Sequence, residues 1–209
     1  MIHPLWKGVA LLASTVAVSL AGGALLLRLS GRDQVQPELK KRVAAGSLPD
    51  ADATPLHRRW GGYDAAAFVR YWKALDFQVT PASARTGRDV ERRFLEMDLV
   101  FPFVYGGALA AALLLAWAAN GRPFHPVWVM LPVIALVAAD WTENLALLGQ
   151  IRRFAAGGEP ALQGGWIHVA SAATMLKNLL IVVAFGTLVW LALVRSSPVP
   201  PPALTPAVG

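Results

Sequence analysis

The sequence predicts an all-α protein: a four-helix transmembrane bundle with a short interfacial amphipathic helix between spans 1 and 2. Three observations carry this. Hydrophobic residues make up 56% of the 209 and charged residues only 15%, where a soluble domain is nearer a quarter charged. Mean hydropathy is +0.48. Four apolar stretches each approach the ~20 residues that cross ~30 Å of hydrocarbon at 1.5 Å per residue, and tryptophans stand near their ends.

The first stretch, Gly8 to Leu27, is bounded by Lys7 and Arg28. A cleaved signal peptide, with Ser19-Leu20-Ala21 as its cleavage site, is the rival reading. The apolar run exceeds the usual ~7–15 residue core of such a peptide, which favours a retained helix. Residues 1–29 are therefore taken as the first span and 30–96 as an extramembrane segment. Ser30 to Asp52 lacks a sustained period and reads as loop, with a short helix at Pro37–Ala44. Asp64 can cap a helix over residues 64–75, on which Phe68, Tyr71, Trp72 and Leu75 form one stripe at i, i+3, i+4 and i+7. Such a stripe suits either the headgroup boundary or packing against the bundle.

Thr80-Pro81 breaks the chain. Thr86, with Asp89 three residues on, begins a helix in the manner of a capping box. That helix is charged to Glu96 and apolar from Leu99 to Ala119, and Asn120-Gly121-Arg122-Pro123 ends it. The membrane core is assigned to residues 97–194, with spans at 97–119, 127–148 and 166–194. The Pro-rich tail 195–209 is expected to be disordered. Pro102 and Pro132 should bend their helices and free the carbonyls of residues 98 and 128. Gly106-Gly107 reads as a close-packing site. Trp6, Trp117, Trp128 and Trp190 fall near one face of the membrane and Trp166 near the other, as interfacial belts do.

Charge sets the expected orientation. The face holding both chain ends, side A, carries Lys7, Arg122 and Arg195 near its spans. Side B carries Arg28, Arg32, Arg92, Arg93, Arg152 and Arg153, so the positive-inside rule places side B in the cytoplasm of a bacterial inner membrane. A signal-anchor reading, with Lys7 inside, gives the opposite. Twelve of the nineteen basic residues lie between Arg32 and Arg93. Acids are interspersed and no recognition motif is present, so nucleic acid is not an expected partner. The absence of cysteine excludes disulfides, thiolate metal sites and cysteine nucleophiles.

The residues that could carry chemistry are those that do not belong in lipid. Each central Asp or Lys costs ~2.5–3.5 kcal/mol on insertion scales and needs a partner. Asp98, Phe101, Pro102 and Tyr105 line one helix face, Asp140, Glu143 and Asn144 another, and Thr174, Lys177 and Asn178 a third, with Ser171 beside them. Counting from side B puts Glu143 about 10 Å deep and Lys177 roughly 15 Å. Asp98 is expected at the boundary and well hydrated. Three helices thus present polar stripes at overlapping depth, and Asp98, Tyr105, Asp140, Glu143, Asn144, Thr174, Lys177 and Asn178 form the candidate site. Three acids face one lysine, so either a carboxyl keeps its proton, a cation is bound or water enters. Asp140-x-x-Glu143 could hold a divalent metal, but no histidine joins that face. No phosphate loop, G-x-S-x-G or dinucleotide fingerprint is present, so no cofactor-binding residue is assigned.

The string Asp98-x-x-Phe101-Pro102-x-x-Tyr105, then Asp140-x-x-Glu143-Asn144, then Thr174-x-x-Lys177 resembles a group of small, uncharacterised bacterial polytopic membrane proteins over roughly residues 60–195. The resemblance implies a multi-pass architecture and assigns no activity. Three functions fit the stripes. One is a site in the bilayer that binds or modifies a lipid-like or small amphipathic molecule, with Glu143 or Asp140 moving a proton beside Lys177. Another is a proton- or cation-coupled carrier, which four spans could form only as a homo-oligomer. The last is a non-enzymatic assembly subunit whose cluster fixes helix register.

Overall fold

A computed structural model of the chain describes residues 4–79, 84–120 and 125–193. Its α-helices run in the order α1 (Pro4–Ser30), α2 (Arg32–Ala44), α3 (Asp50–Ala53), α4 (Ala65–Ala74), α5 (Gly87–Asp98), α6 (Phe101–Ala119), α7 (Pro126–Gly157) and α8 (Gly164–Leu193). The described residues form no sheet, only one isolated bridge between Gln78 and Thr86. Four helical segments are long and apolar enough to cross a membrane: Ala10–Ser30, Gly87–Ala119, Pro126–Gly157 and Gly164–Leu191. The protein is an all-α membrane bundle. The Thr80-Pro81 break, the Gly121–Pro123 turn, the tail 195–209 and the side chains of Trp6 and Lys7 lie outside the described residues.

The second span is not one continuous helix. The chain turns at Leu99–Val100 between α5 and α6, because Pro102 has no N–H for the Asp98 carbonyl. The Phe103 N–H bonds back to Val100, so the Leu99 carbonyl is freed as well. Side chains of α7 take up this backbone. Trp141 Nε1 donates to the Leu99 carbonyl at 2.9 Å, and Asn144 Nδ2 lies 3.5 Å from the Asp98 carbonyl. The break is thereby tied to the neighbouring helix.

Helices α7 and α8 form the most extensive pair, α6 packs on α7, and α1 lies along α6 as a mostly lipid-facing helix. Gly106 permits the α6–α7 approach, since a Cβ there would stand 2.6 Å from Val137 Cγ2, whereas one on Gly107 would meet nothing. Side A is closed by an apolar cluster that includes Leu109, Leu113, Val129, Leu136, Leu188 and Leu191. There Asn120 Nδ2 also donates to the Leu191 carbonyl at 2.6 Å, fastening the end of α6 to that of α8. Trp128, Trp166 and Trp190 are each at least half exposed toward the lipid zone.

The segment between the first two spans is folded, not loop. Helix α2 starts at Arg32, five residues before the expected Pro37, and α3 follows it. Phe68, Tyr71, Trp72 and Leu75 on and just after α4 are buried. They pack with Val35, Leu39, Phe94, Leu147 and Ile151 into a second apolar cluster on side B. The aromatic stripe therefore faces the bundle and not the headgroups. Asp64 caps α4 by accepting from the Ala67 N–H at 2.7 Å, and Thr86 with Asp89 forms a complete capping box at α5.

Candidate functional site

The polar residues of α5 to α8 lie between the two apolar clusters as one layer. Lys177 Nζ, 9% exposed, donates to Asp140 Oδ1 at 2.9 Å and to Glu143 Oε2. Thr174 Oγ1 donates to the other Glu143 oxygen at 2.8 Å, and the Tyr105 hydroxyl to the other Asp140 oxygen at 2.8 Å. Asn144 Nδ2 donates to Asp98 Oδ2 at 3.1 Å. Seven of the eight candidate residues are thus joined by hydrogen bonds into two groups, Asp98–Asn144 and Tyr105–Asp140–Lys177–Glu143–Thr174. Asn178 is buried beside them, and its Nδ2 has no hydrogen-bond partner among the described residues. Asp98 is 9% exposed. The good hydration expected for it is corrected: Asp98 is packed inside the protein, where Asn144 is its hydrogen-bond partner.

Each α7 acid oxygen in the Lys177 group already accepts a hydrogen bond from a protein donor. The Lys177 ammonium occupies the position between the two carboxylates that a bound cation would take. Among the described residues, no three His, Asp or Glu side chains are grouped as a metal site. No family model matches this chain, and no curated protein or solved structure does. The chemistry of the site therefore rests on its own geometry.

A residue from outside the spans also reaches the layer. The Tyr63 N–H donates to Ser171 Oγ on α8 at 2.8 Å. Its phenol is buried against Thr174, to which it is only weakly hydrogen-bonded. Burial, and then the proximity of Glu143, push that phenol well above its ordinary pKa. Sequence reasoning passed over Tyr63 because a lone tyrosine after Gly61-Gly62 in a polar segment carries no periodic signal.

Sequence reasoning also passed over a second buried polar group, under the side-B cap. Arg32 is 1% exposed and donates through NH2 to Glu91 Oε1 at 2.8 Å. Its guanidinium lies 3.9 Å from the Phe94 ring centroid and 3.3–3.5 Å from both nitrogens of His57. Tyr71 and Glu91 line a small enclosed cavity beside it, together with His57, Phe68 and Trp72. Burial works against the Arg32 cation, and Glu91, Tyr71 and Asp98 together more than offset it, so its pKa lies above the ordinary value.

His57 supplies a pH test of this cap. Burial first, then Arg32 and more weakly Lys177 and Arg58, hold the imidazole well below its ordinary pKa. The folded state therefore keeps His57 neutral while the unfolded chain takes up a proton near pH 6.5. The unfolded state binds more protons in that window, so stability rises with pH and is lost progressively on acidification below about 6.5. Hydrogen exchange of α2 amides at pH 7.5 and 5.5, corrected for intrinsic rates, should show lower protection at the acidic value. His57→Gln should flatten that slope. An unchanged slope in the variant would remove His57 as its cause.

On the outer face of α7 and α8, an open groove of about 490 Å³ is lined by residues including Leu145, Gly149, Gln150, Arg153, Gln163 and Trp166. It runs along the opposite side of α7 from Asp140 and Glu143.

Proposed function

We propose that this integral membrane protein binds a small lipid-like amphipath through its buried polar layer. The buried Asn178 amide supports this reading, since its Nδ2 has no hydrogen-bond partner among the described residues, and the buried Tyr63 hydroxyl is only weakly held, by Thr174. Unpaired buried donors are costly, and a cluster that served only to pin helices would be expected to satisfy them. The ligand class follows from charge. With three carboxyls and one ammonium, the layer disfavours an anionic headgroup, so a neutral hydroxyl-bearing amphipath fits best. Binding is favoured over chemical modification because the Asp140 and Glu143 oxygens are engaged by Lys177, Thr174 and Tyr105.

A long-chain alcohol carrying a diazirine tests this, with the corresponding alkane and fatty acid as comparisons. The alcohol should label the 171–178 stretch of α8 and be displaced by unlabelled alcohol. Asn178→Leu should cut that labelling about fivefold, the loss expected from one hydrogen bond. Equal, non-competable labelling by alcohol and alkane would instead favour the second reading, a non-enzymatic assembly subunit. The saturated Lys177–Asp140–Glu143 triad speaks for that alternative. A proton- or cation-coupled oligomeric carrier would need a route past the apolar cluster that closes side A.

The same proposal places the chain in a bacterial inner membrane with side B in the cytoplasm, on the arginine excess flanking the spans there. Ser47 is exposed on side B. In a chain without cysteine, Ser47→Cys should resist an impermeant thiol reagent in intact cells and react after permeabilisation. Labelling in intact cells would reverse the orientation.

A further inference from the structure

The short run Trp60-Gly61-Gly62-Tyr63 links the 3-10 turn Leu56–Arg58 to α4. It meets α8 closely, with Tyr63 buried and Trp60 exposed. Gly62 has φ 77°, a left-handed conformation that glycine adopts without strain. A Cβ on it would stand 2.5 Å from Ser171 Oγ and 3.2 Å from Met175 Sδ. The Tyr63 N–H to Ser171 Oγ bond joins the run to α8, and the phenol lies beside Thr174 on the same helix. Gly61 has open space around it. Trp60 is 67% exposed, and the neighbouring turn of α8 shows Met175 and Leu176 to lipid at 42% and 48%. Beneath the run lie Ser171, Thr174 and the weakly held phenol of Tyr63.

We propose that Trp60–Tyr63 is a hinged roof over the polar layer, that the ligand enters from the side-B leaflet between this roof and α8, and that Tyr63 is one of its contacts. This rests on the amphipath-binding reading above. Two adjacent glycines supply the hinge. The backbone hydrogen bond to Ser171, whose loss changes an equilibrium by about fivefold, supplies the latch. Trp60 suits the leaflet boundary, where an indole is both apolar and a donor. The exposed Met175 and Leu176 make the doorway apolar, so the route opens to lipid and not to water. The Tyr63 hydroxyl would then donate to the ligand's hydroxyl oxygen and close the site over it.

Ser171→Ala removes the acceptor of the Tyr63 N–H without adding bulk beside Gly62. The rate at which the diazirine alcohol labels α8 should then rise about fivefold. An unchanged rate would overturn the roof while leaving the binding site intact. The unsubstituted chain gives an independent measurement. Its Tyr63 amide should exchange about 100-fold faster than the amides of α8 around Lys177, as a locally opening segment does. Exchange as slow as that of α8 would overturn the roof whatever the labelling shows. If the alcohol fails to label the unsubstituted chain, the binding reading falls, and the Tyr63 amide still decides whether the loop opens.

Discussion

Lys177→Met should be the most damaging single substitution in the polar layer, lowering bundle stability in detergent by about 3–5 kcal/mol. It removes the ammonium that Asp140 and Glu143 share and strands two buried carboxyls, although proton uptake can blunt part of the cost. Glu143→Gln should cost less, about 1–2 kcal/mol. Its amide still accepts from Thr174, and Lys177 keeps Asp140 at 2.9 Å. The informative variant carries both changes. With the lysine gone, one buried acid fewer remains, so the pair should recover part of the stability lost by Lys177→Met alone. Thermal unfolding of the four proteins in one detergent completes the cycle. Strictly additive losses would count against direct coupling. If the double variant regains stability but not labelling by the alcohol, the layer does more than hold the helices.

Arg32→Met should be comparably severe, about 3–5 kcal/mol, by a related route. The guanidinium is the partner of Glu91 in a place both residues share with almost no solvent. Losing it leaves a buried carboxylate and removes the stacking on Phe94, which adds about 0.5–2 kcal/mol. The damage should be local. Helices α2 and α4 should become protease-sensitive and lose amide protection before α7 and α8 do, since the side-A cluster does not depend on Arg32. Arg32→Lys should recover only part of the loss, because an ammonium can face Glu91 but not also His57 and the ring. Full protection of α2 in Arg32→Met would show that apolar packing of Val35 and Leu39 alone holds the cap.

Both predictions concern buried charge, yet they differ in how visible they were beforehand. Asp140, Glu143, Asn144, Thr174, Lys177 and Asn178 stand out because a charge or amide in an apolar run is an exception, and because helical spacing assigns each set to one face. Arg32 and Glu91 lie in a stretch dense with charged residues, where nothing local distinguishes a buried pair from solvated ones. The same density made Ser30 to Asp52 read as loop. Helix α2 has little amphipathic pattern, and Pro37 lies within it. It is held by Val35, Leu39 and the Arg32 pairing, all tertiary contacts. The burial of Asp98 escapes the sequence for a related reason: counting along a helix gives depth but not what packs around the side chain.

What the sequence by itself determined was the membrane spans, two helix starts and the faces of those helices. The four spans, the capped starts of α4 and α5, the aromatic stripe of α4 and the three polar stripes all follow from composition and from a period of 3.6 residues, which are local properties. What only the tertiary structure decided was which stripes meet, that the second span breaks at Leu99–Val100 and hands its free carbonyls to Trp141 and Asn144, and that the extramembrane segment closes over the layer. The bond from the Tyr63 N–H to Ser171 joins residues 108 apart, and the Arg32–Glu91 pair spans 59. No periodicity reaches across such separations. They are set by the path of the connecting chain and by the cost of leaving a charge or donor buried without a partner.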